Sequence, residues 1–168
     1  MTISMYQASV PVFRQYLAGL CGILAKAEAQ LPALQVDAPT VLAARLAPDM
    51  FPLTRQVQIA TDFARGAPAR LAGLEMPVWP DVEASLGELR GRIERAIAGL
   101  ESLTPAQIDG QEARRIALKV GGQPTEFEGL PYLLHFALPN FFFHTTTAYA
   151  ILRHHGITIG KRDFMGRS

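Results

Sequence analysis

The sequence holds a single cysteine, Cys21, among 168 residues. An internal disulfide framework is therefore excluded, and stability must come from packing. Charge of one sign is also scarce: the formal net charge is +1, and no basic run exceeds Lys161-Arg162. Nucleic-acid binding needs a clustered positive footprint, so that class is set aside. Long apolar runs are missing too. Pro131, His135, Pro139, Asn140 and His144 interrupt the best candidate, and no run reaches the roughly 18 residues of a membrane span. The opening MTISMYQASV lacks the charged start and apolar run of a secretory signal. These absences set the expectation of a cytoplasmic protein with no nucleic-acid and no membrane partner. What is present is apolar: 49% of residues are hydrophobic and 18% charged, which argues for a substantial core and against disorder. The length suits one domain over residues 1–168.

Four long amphipathic segments follow from the spacing. Tyr6, Val10, Phe13, Leu17, Leu20, Leu24, Ala27 and Leu31 recur at three and four, which predicts a first helix over about Ser4 to Gln30, ended by Pro32. Cys21 reads as a small apolar residue on that helix. A short helix over Pro39 to Arg45 follows, with Asp37 as its cap. A second long helix opens at Asp49 or Phe51. Leu53, Val57, Ala60, Ala64 and Leu71 form its apolar line, and Thr54, Gln58, Thr61 and Arg65 an adjacent polar one. Gly66 and Pro68 should weaken or kink it. After the loop Met76-Pro77-Val78-Trp79-Pro80, Asp81 is the expected cap of a third helix. Val82, Leu86, Leu89, Ile93, Ala96, Leu100 and Leu103 form its seam. Its charged face, including Arg92, reads as solvated. Thr104-Pro105-Ala106-Gln107 has the form of a capping box opening a short helix.

Ile116, Leu118 and Val120 alternate with polar residues before Gly121-Gly122, which signals a β-hairpin. A fourth long helix should run from Pro131 to about His155, kinked at Pro139 and closed by Gly156. The tail should be irregular and fold back over the bundle. The expected architecture is all-α: a four-helix bundle with long crossover connections and a small hairpin before the last helix.

All four histidines, His135, His144, His154 and His155, fall between Leu130 and Gly156. His154 and His155 sit in a last helical turn, where the dipole favours them. Asn140 and His144 are four apart and share a helix face. His144 lies in a segment that must be largely buried, so it needs a polar partner, and Asn140 is at hand.

The stretches ARLAPDMFPLTRQVQIATDFARG, LLHFALPNFFFHTTTAYAILRHHG and GKRDFMG resemble a bacterial branch, of unassigned function, of the DinB-like metalloenzyme superfamily. The resemblance covers most of the chain. It implies a four-helix bundle, frequent homodimerisation and, commonly, a divalent metal held by three histidines. Carried over by residue, the second-helix ligand position falls on Gln58. The fourth-helix positions fall on Asn140 and His144. Only His144 keeps an imidazole. Neutral amides are poor ligands for first-row transition metals, so the resemblance implies a lost metal site that leaves a polar pocket. Asp62, four residues after Gln58, and His135 extend that pocket. A divalent metal would have to be completed through them or Asp49.

Three readings of function follow. In the first, Gln58, Asn140, His144, Asp62 and His135 line a pocket for a small polar ligand, with no tightly held metal and no cofactor. The second is a transferase or hydrolase of the DinB type, metal-dependent or using His144 as a catalytic general base. The third is a structural homodimer with no active site.

Overall fold

A computed structural model describes residues 3–76 and 78–166 of the protein; Pro77 of the expected loop lies outside them. Four long helices form a bundle: α1 (Val10–Leu34), α3 (Leu53–Ala72), α4 (Leu86–Glu101) and α7 (Leu138–His154). Shorter helices are α2 (Ala38–Ala43), α5 (Pro105–Ile108), α6 (Gly129–Pro131) and α8 (Lys161–Phe164). The principal packing pairs are α3 with α7 and α1 with α4, and α3 also packs along α4. The long helices that follow one another as α1 and α3, or α4 and α7, are therefore not the main partners. This is the crossover arrangement that the long connections imply.

The periodic lines become the core. Val10, Phe13, Leu17, Leu20, Leu24, Ala27 and Leu31 of α1 are buried, as are Leu86, Leu89, Ile93, Ala96 and Leu100 of α4. Each of these side chains larger than alanine contributes about 1.5–3 kcal/mol when fully buried. Contrary to the expectation that no segment suits a membrane span, α1 is long and apolar enough to cross one by length and composition. Its apolar stripe packs inside the bundle. Cys21 is half-buried, and burial pushes its thiol up.

Several boundaries differ from the sequence reading. Helix α1 runs through Pro32, because a proline in a last turn removes only one backbone bond. It ends where Gln35 takes a left-handed conformation, its N–H on Leu31 and Pro32 oxygens. Helix α3 continues through Gly66 and Pro68 to Gly73, whose φ of 70° closes it. Asp81 does not cap α4. Ser85 does, its Oγ accepting from the Glu88 N–H at 3.1 Å, and Asp81 is drawn into an ion network instead. Asp37 caps α2 as expected, accepting from the Thr40 N–H at 2.8 Å.

Strands β1 (Arg115–Val120) and β2 (Gln123–Glu128) pair antiparallel with Val120 opposite Gln123. Gly121 and Gly122 both have positive φ, the two-residue turn that glycine pairs favour. The chain then enters a helical run that is not uniformly α. Tyr132–Ala137 is a π-helix between α6 and α7. Pro139 cannot donate to the His135 carbonyl, and its ring would crowd that oxygen in an α-turn. The wider turns ahead of it relieve both problems, so the expected kink appears as a π segment. The tail is not irregular: α8 docks on α1. A Cβ on Gly19 would lie 2.7 Å from the Phe164 oxygen, and Gln15 Nε2 donates to the Met165 oxygen at 2.9 Å. Lys26 pairs with Asp163.

Candidate functional site

His144 sits midway along α7, facing α3, with 8% of its surface exposed. The Phe63 ring lies parallel to its imidazole at 6.3 Å, and Phe143 meets it edge-on at 5.3 Å. Its hydrogen-bond partner is Gln56, with Nδ1 2.7 Å from Oε1. The same Gln56 amide donates through Nε2 to the Phe51 oxygen at 3.0 Å. That second bond fixes the amide orientation, so Oε1 faces the ring and Nδ1 must carry the proton. Nε2 is then a bare acceptor, and it has no hydrogen-bond partner among the described residues. Burial, aided by the nearby Arg55 charge, pulls the imidazole pKa down to about 4. His144 is therefore neutral near pH 7.

The other expected pocket residues do not converge on it. Gln58 lies two positions from Gln56, about 200° around the helix, and turns toward the loop before α4. Its Nε2 donates to Glu83 Oε2 at 2.8 Å, and its Oε1 receives Arg55 Nη1 at 3.4 Å. Asn140 donates back to the Phe136 oxygen of the π segment at 2.7 Å. His135 is exposed on that same segment. Asp62 belongs to a different cluster. The residue that reaches His144 is Gln56, and nothing in the apolar periodicity of α3 distinguishes it. Only the rule that a buried imidazole needs a partner points to the polar positions of the facing helix.

The largest departure from the sequence reading is Arg92. It is 5% exposed, not solvated. Its Nε donates to Thr61 Oγ1 at 2.8 Å. Its Nη1 donates to Glu83 Oε1 at 2.9 Å and the Pro80 oxygen at 3.2 Å. Its Nη2 lies 3.0 Å from both Asp62 Oδ1 and Asp81 Oδ1. Arg65 also pairs with Asp62 at 3.1 Å, and Arg55 pairs with Asp81. Three cations, Arg55, Arg65 and Arg92, thus meet three carboxylates, Asp62, Asp81 and Glu83, in a neutral network that straps the loop before α4 onto α3. Trp79 is clamped over it, with the Arg65 and Arg95 guanidinium carbons 4.2 and 4.1 Å from its ring centre. Burial alone would raise the Glu83 pKa, but hydrogen bonds from Arg92 and Gln58 outweigh it and hold it below the ordinary value.

The donor set does not fit a transition metal. Asp62, Asp81 and Glu83 converge on a guanidinium that already supplies their positive charge. His144 has an amide for a neighbour. Among the described residues no three His, Cys, Asp or Glu side chains are grouped to hold an ion. Several recesses border the network. One of about 370 Å³ is lined by Asp62, Arg65, Arg70 and Trp79 among others. A smaller one, about 160 Å³, opens between α3, the π segment and β1.

Comparison with known proteins accords with this architecture. No protein of curated function matches the chain. A crystal structure of a DinB family member protein from Shewanella denitrificans is similar over 96% of this chain and 91% of that one, with 40% identity and a TM-score of 0.87. The family described as a domain of unknown function, DUF1993, matches residues 5–165. The helical bundle, the hairpin before its last helix and these two matches place the chain in the DUF1993 family, as a DinB-like protein.

Proposed function

We propose that the protein is a small-ligand-binding module that works without a tightly held transition metal. The observation that carries this reading is the His144–Gln56 pair at 2.7 Å. It spends one imidazole nitrogen on a neutral amide and leaves the other as a lone acceptor for a donor group on a ligand. A catalytic role for His144 as general base is weaker. A base whose conjugate acid titrates at about 4 is poorly matched to proton abstraction near neutrality. Among the described residues no carboxylate bonds its ring to raise that value. Gln58, Asn140 and Asp62 are spent on other partners in this reading, His135 is exposed away from the ring, and the single half-buried thiol suits a cytoplasmic setting.

A second reading, a homodimer built on this face, draws support from Phe51 and Phe143. Phe143 meets the His144 ring edge-on and Phe51 accepts from Gln56 through its backbone oxygen, and the two are 55% and 54% exposed. Sedimentation of the protein and of Phe143→Ser tests it: a dimer that the variant dissolves favours the interface reading. For the primary reading, elemental analysis of protein purified without chelators should show divalent metal far below one per chain. Zinc titration by calorimetry should show no tight site. Near-stoichiometric metal overturns the reading.

A further inference from the structure

The recess between α3, the π segment and β1 is built differently from the rest of the surface. Tyr132 and Phe136 of the π segment, Phe63 and Arg70 of α3, and Leu118 and Lys119 of β1 line it. One side of it is aromatic, formed by Phe63, Tyr132 and Phe136. Phe136 lies 5.7 Å from Phe63, 5.9 Å from Tyr132 and 5.0 Å from Phe127, ring centre to ring centre. The π segment brings Tyr132 and Phe136 into this wall, and such segments recur at functional sites.

Its charges are uneven. Asp62, also at the wall, is committed to Arg65 and Arg92. Arg70 forms no ion pair among the described residues. Its Nη1 donates to the Tyr132 hydroxyl at 3.2 Å, and its guanidinium lies so close over Gly66 that a Cβ there would sit 2.5 Å from Nη1. Tyr132 is fully buried. Its oxygen accepts from Arg70, so its own O–H points elsewhere, and that proton has no acceptor among the described residues. A buried hydroxyl donor left unspent is costly. Burial also pushes the phenol pKa up, against the Arg70 charge, so the proton stays in place near pH 7. Lys119 lies exposed at the mouth.

We infer that this recess binds the carboxylate of a small organic acid with a flat or branched apolar body, held by the Arg70 guanidinium and the Tyr132 O–H. The two donor groups are neighbours, at a spacing that the two oxygens of one carboxylate can bridge, and such charge-assisted bonds are the strong ones. The aromatic side takes the apolar body. A volume of about 160 Å³ is below the ~300 Å³ at which pockets for drug-sized ligands begin, which limits the acid to about one ring. Neither His144 nor Gln56 lines this recess, so the inference adds a second position to the ligand-binding reading and rests on it only for the class of function.

The test is titration of the full chain by calorimetry and by amide chemical shifts, with benzoate as probe, benzamide as its uncharged analogue and inorganic phosphate as an anion without an apolar body. Benzoate should bind, with shifts confined to α3, β1 and the π segment. Benzamide and phosphate should bind about tenfold or more weakly. Arg70→Gln should weaken benzoate about tenfold, and Tyr132→Phe, which keeps the ring, several-fold. Arg70→Lys should fall between Arg70→Gln and the native protein. Thermal melts confirm that each variant is folded, and should Arg70→Gln fail to fold, Tyr132→Phe carries the test. Equal binding of benzoate and benzamide, shifts elsewhere, no binding at millimolar benzoate, or benzoate affinity unchanged in Tyr132→Phe overturns the inference. Those outcomes leave the metal analysis untouched; near-stoichiometric metal would instead sink the underlying reading.

Discussion

Acidification should weaken this protein through one side chain. The folded His144 imidazole titrates at about 4, while an unfolded histidine titrates at about 6.5. Between those values the unfolded chain takes up a proton that the folded chain refuses. Stability therefore falls as pH drops below about 6.5, and this contribution levels off near 4. The slope is at most about 1.4 kcal/mol per pH unit, so the ceiling is about 3.4 kcal/mol. His144 keeps a little solvent contact at 8% exposure, which screens the shift, and about 2 kcal/mol is the expected loss between about pH 7.5 and pH 4.5. Other groups titrate over this range, so the comparison is with His144→Gln, whose amide can still meet Gln56 and carries no proton equilibrium. Urea denaturation of both proteins at the two pH values isolates the difference. The native protein should lose about 2 kcal/mol more than the variant. Equal losses would refute the argument, and a smaller loss in the native protein would reverse its sign.

Other expectations are independent of that one. Arg92→Met should destabilise the fold by about 3–5 kcal/mol, because it leaves three carboxylates facing one another without their central cation; denaturant melts measure this, and a neutral result would mean that the network relaxes into solvent. Gly19→Ala should loosen α8, because the new Cβ meets backbone oxygens at 2.7 and 2.9 Å; limited proteolysis should cut near residues 160–166 faster than in the native chain, and unchanged cleavage would count against docking. Gln56→His should raise zinc affinity more than Gln58→His, since only position 56 reaches the His144 ring; the opposite order in a zinc titration would return Gln58 to the site.

The bundle was legible because its signal is periodic. The lines drawn through α1, α3 and α4 are nearly all buried. The one failure in the α4 seam, Val82 at 73% exposure, precedes the Ser85 cap. The hairpin was legible because Gly121-Gly122 has few other uses. The site was less so. Residue type made Arg92 look like surface, although it adjoins Ile93 in the seam. Its partners come from α3 and an extended loop with no period to read. Gln58 lay where family resemblance put a ligand, but a two-residue step on a helix reverses the face, and Gln56 holds the imidazole instead. Pro139 advertised an irregularity without specifying a π segment, so the grouping of Tyr132 and Phe136 with Arg70 could not be foreseen.

The most direct test of the central claim is the nitrogen spectrum of the His144 ring at about pH 7, with and without equimolar zinc. The account predicts a neutral ring with its proton on Nδ1, a free Nε2, and no change on adding zinc. A ring protonated on Nε2, a cationic ring, or an Nε2 resonance displaced by one equivalent of zinc would contradict it.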